Sequence, residues 1–151
     1  MGTQITALYV RRSSLIRATA ERVWQEFTSF ERLAAWFGRG HQLEVYEPEL
    51  GGQVRLSVEI HGARRAFGGP ILVFEPAREF TFSNNWESDG WPVPTLITLR
   101  LTALFDACQV ELFHHGFERL GGDAGTELQG YEAGWHSRHL EALKAIVEGQ
   151  A

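Results

Sequence analysis

Alternation of apolar and polar side chains is the feature that most restricts the fold of this chain. From Gln53 to His61 every second residue is apolar, and the segments TLITLRLTALF and QVELFHHG repeat the alternation. PILVFE and REFTFSNNW read as two further strands that turn at Pro76-Ala77. A period of two places successive side chains on opposite faces of a strand. The pattern therefore predicts an antiparallel sheet with one wet face and one face that another layer must cover.

Helical signals lie on both sides of this run of strands. Residues 9–18 are strand-like, after which Thr19 is placed as a helix N-cap and two short helices follow as far as Gly38. Residues 131–149 predict a long helix whose apolar stripe contains Leu140, Leu143 and Val147. Only this helix is long enough to cover the sheet. We therefore predict an α+β fold with about six strands, two short helices after the first strand and a long C-terminal helix.

Composition restricts the class of protein and its partners. The chain has 151 residues, 44% of them hydrophobic and 22% charged, which suits one compact domain over residues 1–151. The formal charge is −5 and basic residues cluster only in two arginine pairs, so nucleic acid is not an expected partner. No segment resembles a signal peptide or a membrane span, and Cys108 is the single cysteine. We therefore expect a cytoplasmic protein that neither forms an internal disulfide nor binds membranes.

Known catalytic motifs do not occur in this sequence. It contains no G-x-S-x-G elbow and no G-x-x-x-x-G-K-[ST] loop, which argues against an activated serine and against phosphate binding. Cys108 lies near Asp106 at a strand start, where a small buried or edge residue is the simpler interpretation. Several glutamates lie at strand ends and turns, where charge is usually solvated. We expect no cofactor, and an enzyme is the less favoured class.

Three histidines fall where aliphatic side chains would pack more simply. His114 shares the parity of Leu112, so it should face the covering helix. His136 and His139 lie on the helix stripe that faces the sheet, and Trp135 lies beside them. Histidine on an apolar face is therefore the most unusual feature of the predicted interior.

Besides ordinary core packing, two interpretations of these histidines are open. Glu132 precedes His136 by one helical turn, so Glu132, His136, His139 and a facing His114 could together bind zinc. The spacing is not that of H-E-x-x-H. The other interpretation is a polar corner in a ligand pocket, since such pockets are mostly apolar with a few placed polar groups.

Aromatic residues favour the pocket interpretation. Phe80, Phe82, Asn84 and Trp86 share one face of the same strand. Phe80 and Phe82 suit the core, whereas Asn84 and Trp86 come near the strand end, where the sheet should open. Trp91 follows in the segment DGWPVP, whose two prolines limit its freedom. We therefore expect Asn84 and Trp86 to form part of a cavity wall.

The segment IRATAERVWQEFTSFERLAAWFG resembles the opening of the START-like superfamily, also called SRPBCC or Bet v 1-like. It is most similar to the branch of homologues of the heat-shock chaperone ATPase activator. EPELGGQVRL, GGPILVFEPAREFTFSNNW, LITLRLTAL, VELFHHGF and YEAGWHSRHLEAL match that branch in order. The resemblance implies a helix-grip fold, in which a curved antiparallel sheet wraps a long C-terminal helix over an interior cavity. One departure is that Trp135 and Leu140 are five positions apart, where the corresponding residues of the family are usually four apart.

Three functions are open at this point. The leading hypothesis is a protein that binds a small apolar or amphipathic ligand, either to sequester, sense or carry it. The candidate ligand-binding residues are Asn84, Trp86, Trp91, His114, Trp135, His136 and His139. The alternatives implied by the resemblance are an enzyme similar to polyketide cyclases or dehydratases, with His114 as its first candidate base, and a partner of a chaperone ATPase. A homodimer through an exposed strand edge is compatible with each of them.

Burial of His114 leads to one electrostatic expectation. Desolvation among Val110, Leu112 and Trp86 would disfavour the charged imidazole and lower its pKa below the usual value of about 6.5. Pairing with Glu132 would instead raise that pKa.

Overall fold

The protein is described by a computed structural model that covers residues 9–38, 41–87, 90–123 and 138–149. Its elements in chain order are β1 (Tyr9–Ile16), α1 (Ala20–Trp24), a 3-10 turn (Gln25–Phe27), α2 (Phe30–Phe37), β2 (Gln42–Tyr46), β3 (Gln53–Ile60), β4 (Ala63–Glu75), β5 (Glu79–Trp86), β6 (Thr95–Ala103), β7 (Cys108–His115), a 3-10 helix (Phe117–Asp123) and α3 (Arg138–Gly149). The predicted residues 131–137 of the C-terminal helix lie outside the described residues.

All seven strands form one curved antiparallel sheet in the order β1-β7-β6-β5-β4-β3-β2. The α+β class, the two short helices after the first strand and the C-terminal helix are as predicted. The number of strands is seven instead of about six, because β2 was not predicted. In β2 a bulge lies between Leu43 and Val45, so that Leu43 and Tyr46 are buried while Val45 is 38% exposed. The buried residues are three apart, and the alternation that marks a strand is lost.

Helix α1 begins after the predicted N-cap, and helix α2 has an N-cap of the same kind. Thr19 is the N-cap of α1, where its Oγ1 accepts a hydrogen bond from the backbone nitrogen of Arg22 at 3.1 Å. Ser29 caps α2 in the same way by accepting from the backbone nitrogen of Arg32 at 3.2 Å. The buried apolar residues of this region are Ala20, Val23, Trp24, Phe27, Leu33, Trp36 and Phe37. They pack an aromatic core against the inner face of the sheet.

The long strand β4 bends the sheet at two places. Its register against β5 shifts between Ile71 and Val73, and its Gly68 has a positive φ of 133°. A Cβ at Gly68 would lie 2.1 Å from the carbonyl oxygen of Val54 on β3, which only glycine avoids. A bulge bends its strand and increases the local twist. These irregularities therefore suit a sheet that curves around a helix.

Helix α3 closes the apolar side of the sheet and is tied to the end of β1. Leu140, Leu143 and Val147 are buried in the main core, as the stripe predicts. Lys144 Nζ donates a hydrogen bond to the carbonyl oxygen of Leu15 at 2.6 Å. Glu148 accepts a hydrogen bond from the backbone nitrogen of Arg17 at 2.8 Å. Helix α3 is thus held by packing on one face and by polar contacts on another. Among the described residues, no helix is long and apolar enough to cross a membrane.

Candidate functional site

A row of polar side chains crosses the inner face of the sheet near the ends of three neighbouring strands. Asn84 on β5 is the cross-strand partner of Thr95 on β6, and His114 on β7 is paired with Ile97, two residues further along β6. All three polar side chains are 0% exposed. They occupy inward positions that alternate with outward ones, as the parity of Asn84 and His114 predicts. We call Asn84, Thr95 and His114 the polar row.

Two hydrogen bonds connect the members of the polar row. Thr95 Oγ1 lies 2.8 Å from His114 Nε2 and 3.3 Å from the carbonyl oxygen of Asn84. A hydroxyl group has one hydrogen to donate but can also accept. Both bonds form together when His114 carries its proton on Nε2, donates it to Thr95, and Thr95 donates to Asn84. The row therefore favours one tautomer of His114.

The side-chain amide of Asn84 differs from the rest of the row. Neither its Oδ1 nor its Nδ2 has a hydrogen-bond partner in the part of the chain that the structure describes. A buried polar group that lacks a hydrogen bond costs about 1–3 kcal/mol, and most buried polar side chains in folded proteins have at least one partner. The amide of Asn84 is therefore costly to the fold and needs an explanation other than stability.

A second polar feature of the interior is a pair of histidines from distant parts of the chain. His41, between α2 and β2, stacks on His139 in the first turn of α3, with ring centroids 5.3 Å apart and planes inclined by 22°. The ring of Phe37 meets both imidazoles edge-on, at 5.7 Å from His41 and 6.0 Å from His139. His139 is 0% exposed, whereas His41 is half-buried. We call these two residues the histidine pair.

Aromatic rings connect the histidine pair to the strand that carries Asn84. Phe37, which touches both histidines, also contacts Phe82 at 6.3 Å. Phe67 contacts His41 at 5.9 Å and Trp86 at 5.0 Å. Phe82 and Trp86 are the inward residues on either side of Asn84. These contacts bring the histidine pair to the same stretch of β5 as the amide of Asn84.

His41 also borders the outside of the molecule. An open groove of about 280 Å³ is lined by His41, Gln42, Ser57, Val58, Glu59 and Arg64. The imidazole of His41 therefore lies between this groove and the buried ring of His139.

Burial keeps His41 and His114 neutral at physiological pH. Desolvation, and then the nearby His139, lower the pKa of His41 from 6.5 to about 4. Desolvation, and then His115, lower the pKa of His114 well below its usual value. The predicted direction for His114 is thus confirmed. Neutral imidazoles both donate and accept hydrogen bonds, so they suit an uncharged polar partner.

Trp91 lies apart from the residues around Asn84. Its backbone is fixed to β5 by Asn85, whose Oδ1 accepts from the nitrogen of Trp91 at 2.8 Å and whose Nδ2 donates to its carbonyl oxygen at 3.1 Å. Its side chain packs in a separate cluster with Phe117, and the ring of Phe117 lies 4.5 Å from that of His114. Trp91 is therefore connected to the polar row through Phe117.

Three predicted site residues, Glu132, Trp135 and His136, lie outside the described residues. Glu132 and His136 are two of the four predicted zinc ligands. Within ranges 9–38, 41–87, 90–123 and 138–149, no group of three or more histidine, cysteine, aspartate or glutamate side chains could hold a metal ion. Of the predicted zinc ligands that the structure describes, His139 belongs to the histidine pair and His114 to the polar row.

Sequence analysis missed two members of this site. His41 precedes β2, the strand that was not predicted, and its partner His139 is almost a hundred residues away along the chain. Thr95 shares parity with Ile97, so its inward position could have been inferred from the same alternation. Its polar character was overlooked because threonine is common in strands.

A curved antiparallel sheet that grips a C-terminal helix, with two short helices after the first strand, defines a START-like protein of the helix-grip class. Within that class, residues 17–148 match the family described as activator of Hsp90 ATPase homolog 1-like protein, and the chain belongs to this family. None of the curated proteins matches the chain in sequence.

Solved structures of the same fold come from several bacteria. The protein CV1439 of Chromobacterium violaceum is 22% identical with a TM-score of 0.69, covering 93% of this chain and 97% of that one. The protein MLL2253 of Mesorhizobium loti is 18% identical with a TM-score of 0.71, covering 95% and 98%. DynU16, from the dynemicin biosynthetic locus, is 21% identical with a TM-score of 0.68, and the match covers 93% of this chain and 47% of DynU16. At these identities the likeness establishes the fold alone.

Proposed function

We propose that this protein binds a small apolar or amphipathic molecule between the inner face of the sheet and helix α3, acting as one START-like domain over residues 1–151. The observation that carries the proposal is the polar row of Asn84, Thr95 and His114 in an otherwise aromatic and aliphatic interior. Ligand sites are typically apolar with a few convergent polar groups. A protein selected for stability alone would fill these positions with aliphatic side chains.

Native mass spectrometry of the purified protein, followed by a thermal-shift screen of apolar and amphipathic compounds, tests this proposal. A compound present at a hundred times its Kd should stabilise the fold by about 2.7 kcal/mol. Two-dimensional NMR then locates the site. The side-chain amide signals of Asn84, on the inner face, should move on binding. Those of its neighbour Asn85, which face outward and hold Trp91, should not. A screen in which no compound raises the melting temperature would contradict the proposal.

A second candidate function is an enzyme that uses His114 as a general base or acid. The hydrogen bond from His114 to Thr95 orients the imidazole, and burial keeps it neutral and able to accept a proton. If this function holds, turnover of a bound compound should be lost in His114→Gln while binding is retained. Binding without any chemical change to the compound would favour the carrier or sensor instead.

The family's description as a homologue of an Hsp90 ATPase activator supports a third candidate, a partner of a chaperone ATPase. Measurement of chaperone ATPase activity with and without this protein tests it directly.

We further propose a cytoplasmic location, which the free buried thiol of Cys108 supports. The sheet order leaves β1 and β2 as edge strands. A homodimer through one of these edges would be recognised by its mass in solution.

A further inference from the structure

The amide of Asn84 shows what kind of group the site would bind. Asn84 lies on the inner face of β5 between Phe82 and Trp86, and it is 0% exposed. One donor and one acceptor of the same planar amide both lack a partner among the described residues. A binding partner that satisfies both atoms must present an acceptor and a donor side by side.

Neighbouring side chains do not supply this partner. Thr95, directly opposite on β6, uses its hydroxyl on His114 and on the backbone carbonyl of Asn84. The inward residues next to Asn84 on its own strand are Phe82 and Trp86. The side chain of Phe82 has no hydrogen-bonding atom, and the indole of Trp86, which can only donate, makes no hydrogen bond to the Asn84 amide. The amide thus lies between two aromatic side chains, beside a threonine and a histidine that are already hydrogen-bonded to each other.

The charges around the site restrict the chemical class of the ligand further. Glu26 is the one buried aspartate, glutamate, lysine or arginine of the described residues, and its carboxylate is held by Arg22 and Arg32 in the region of α1 and α2. The charged groups nearest to the two polar features are exposed: Glu59 and Arg64 line the groove outside His41, and Glu118 and Arg119 act on His115. Burial lowers the pKa of His41, His114 and His115. Among the described residues an anionic ligand would therefore find no buried cation, and its desolvation would oppose binding.

We propose that Asn84 is the anchor of a subsite for the uncharged carboxamide or lactam group of an otherwise apolar, aromatic ligand, which pairs with both atoms of the Asn84 amide. This inference rests on the proposed binding function and specifies its ligand class. The rings of Phe82 and Trp86 would contact the apolar body of the ligand. The histidine pair would lie beside it.

A matched set of probes tests the subsite: naphthalene, 2-naphthamide and 2-naphthoate, each titrated by calorimetry at pH 7.5. Wild-type protein should bind 2-naphthamide at least tenfold more tightly than naphthalene, because two hydrogen bonds are gained. It should bind 2-naphthoate more weakly than 2-naphthamide. The variant Asn84→Leu should bind the amide and the hydrocarbon within threefold of each other. Ser83→Ala, on the outward face of the same strand, should keep the tenfold preference.

Thermal unfolding without any probe gives an independent readout. If the amide is unsatisfied in the fold, Asn84→Leu should raise Tm by about 2–4 °C. A lower Tm in this variant, and also in the smaller Asn84→Ala, would mean that the protein already satisfies the amide, and would overturn the inference.

The binding outcomes separate this inference from the proposed function. If naphthalene and 2-naphthamide bind equally well to wild type, or if Asn84→Leu keeps the preference for the amide, the subsite is wrong while the binding function stands. If none of the three probes binds and the compound screen is also negative, the binding function and the subsite both fail. Should leucine prevent folding, Asn84→Ala takes its place in each comparison.

Discussion

Acidification should destabilise this protein before its carboxylates are protonated. The pKa of His41 sets the size of the loss in the free energy of unfolding. Its pKa is about 4 in the folded state and about 6.5 when unfolded, so the unfolded chain binds more protons at any pH between these values. The contribution is fully present above pH 6.5 and is lost as the pH falls towards 4. A shift of this size corresponds to about 3 kcal/mol in total, or about 1.4 kcal/mol per pH unit.

His114 also makes the fold less stable as the pH falls, because burial lowers its pKa as well. The carboxylates whose folded pKa is lowered, namely Glu44, Glu87 and Glu148, lose their contributions only below their usual pKa of 4.5. Between pH 6.5 and 4.5 the loss of stability should therefore come from the histidines.

Urea unfolding of the wild type and of His41→Phe at pH 7.5, 6.5, 5.5 and 4.5 measures this effect. Phenylalanine keeps an aromatic ring against Phe37 and Phe67 but cannot be protonated. Relative to wild type, the variant should gain stability as the pH falls, by about 2–3 kcal/mol between pH 6.5 and 4.5. His61→Gln, in the exposed turn between β3 and β4, serves as the control and should follow wild type. A free-energy difference between His41→Phe and wild type that does not change with pH would refute the reasoning.

Three further changes test the fold itself by chemical denaturation. Glu26→Gln should cost about 1–3 kcal/mol, because the buried carboxylate receives charge-assisted hydrogen bonds from two arginines, at 2.7 and 2.9 Å; no loss would mean that charge does not matter there. Gly68→Ala should cost about 3 kcal/mol or more, since its Cβ would meet the Val54 carbonyl at 2.1 Å and its φ is positive. Gly149→Ala, where a Cβ meets nothing within 4 Å, is its control. Phe105→Ser should change stability by less than about 0.5 kcal/mol, because Phe105 is fully exposed in the β6–β7 turn; a larger loss would indicate a contact for this ring.

Local periodicity predicts most of the fold because most elements obey it. The alternation in β3, β6 and β7, the N-cap of α1 at Thr19 and the end of α2 at Gly38 are properties of a few neighbouring residues, and each appears where it was predicted. Strand β2 was missed because its bulge replaces the two-residue spacing with the three-residue spacing of Leu43 and Tyr46. The seventh strand was therefore not recognisable from alternation.

In the candidate site, too, the residues marked by a local pattern could be predicted, and those placed by long-range contacts could not. Asn84 and His114 could be located because each breaks the apolar pattern of an inward face, and an inward polar residue conflicts with the simplest core. The stacking of His41 on His139 could not be inferred, because nothing local to either residue encodes a contact between segments almost a hundred residues apart.

A polar side chain at a buried position of β5 indicates that Asn84 has a role other than core packing. A leucine at this position would fit the alternation of β5 and leave no polar atom unsatisfied, and the amide makes no hydrogen bond among the described residues that would offset its burial. Thr95 and His114 show how the same sheet satisfies inward polar groups when they serve the fold, through bonds to one another and to the backbone. Asn84 contributes its backbone carbonyl to that network but not its side chain. Among the described residues, the side chain is therefore the part of the row that lacks a protein partner, and it is where binding should first be sought.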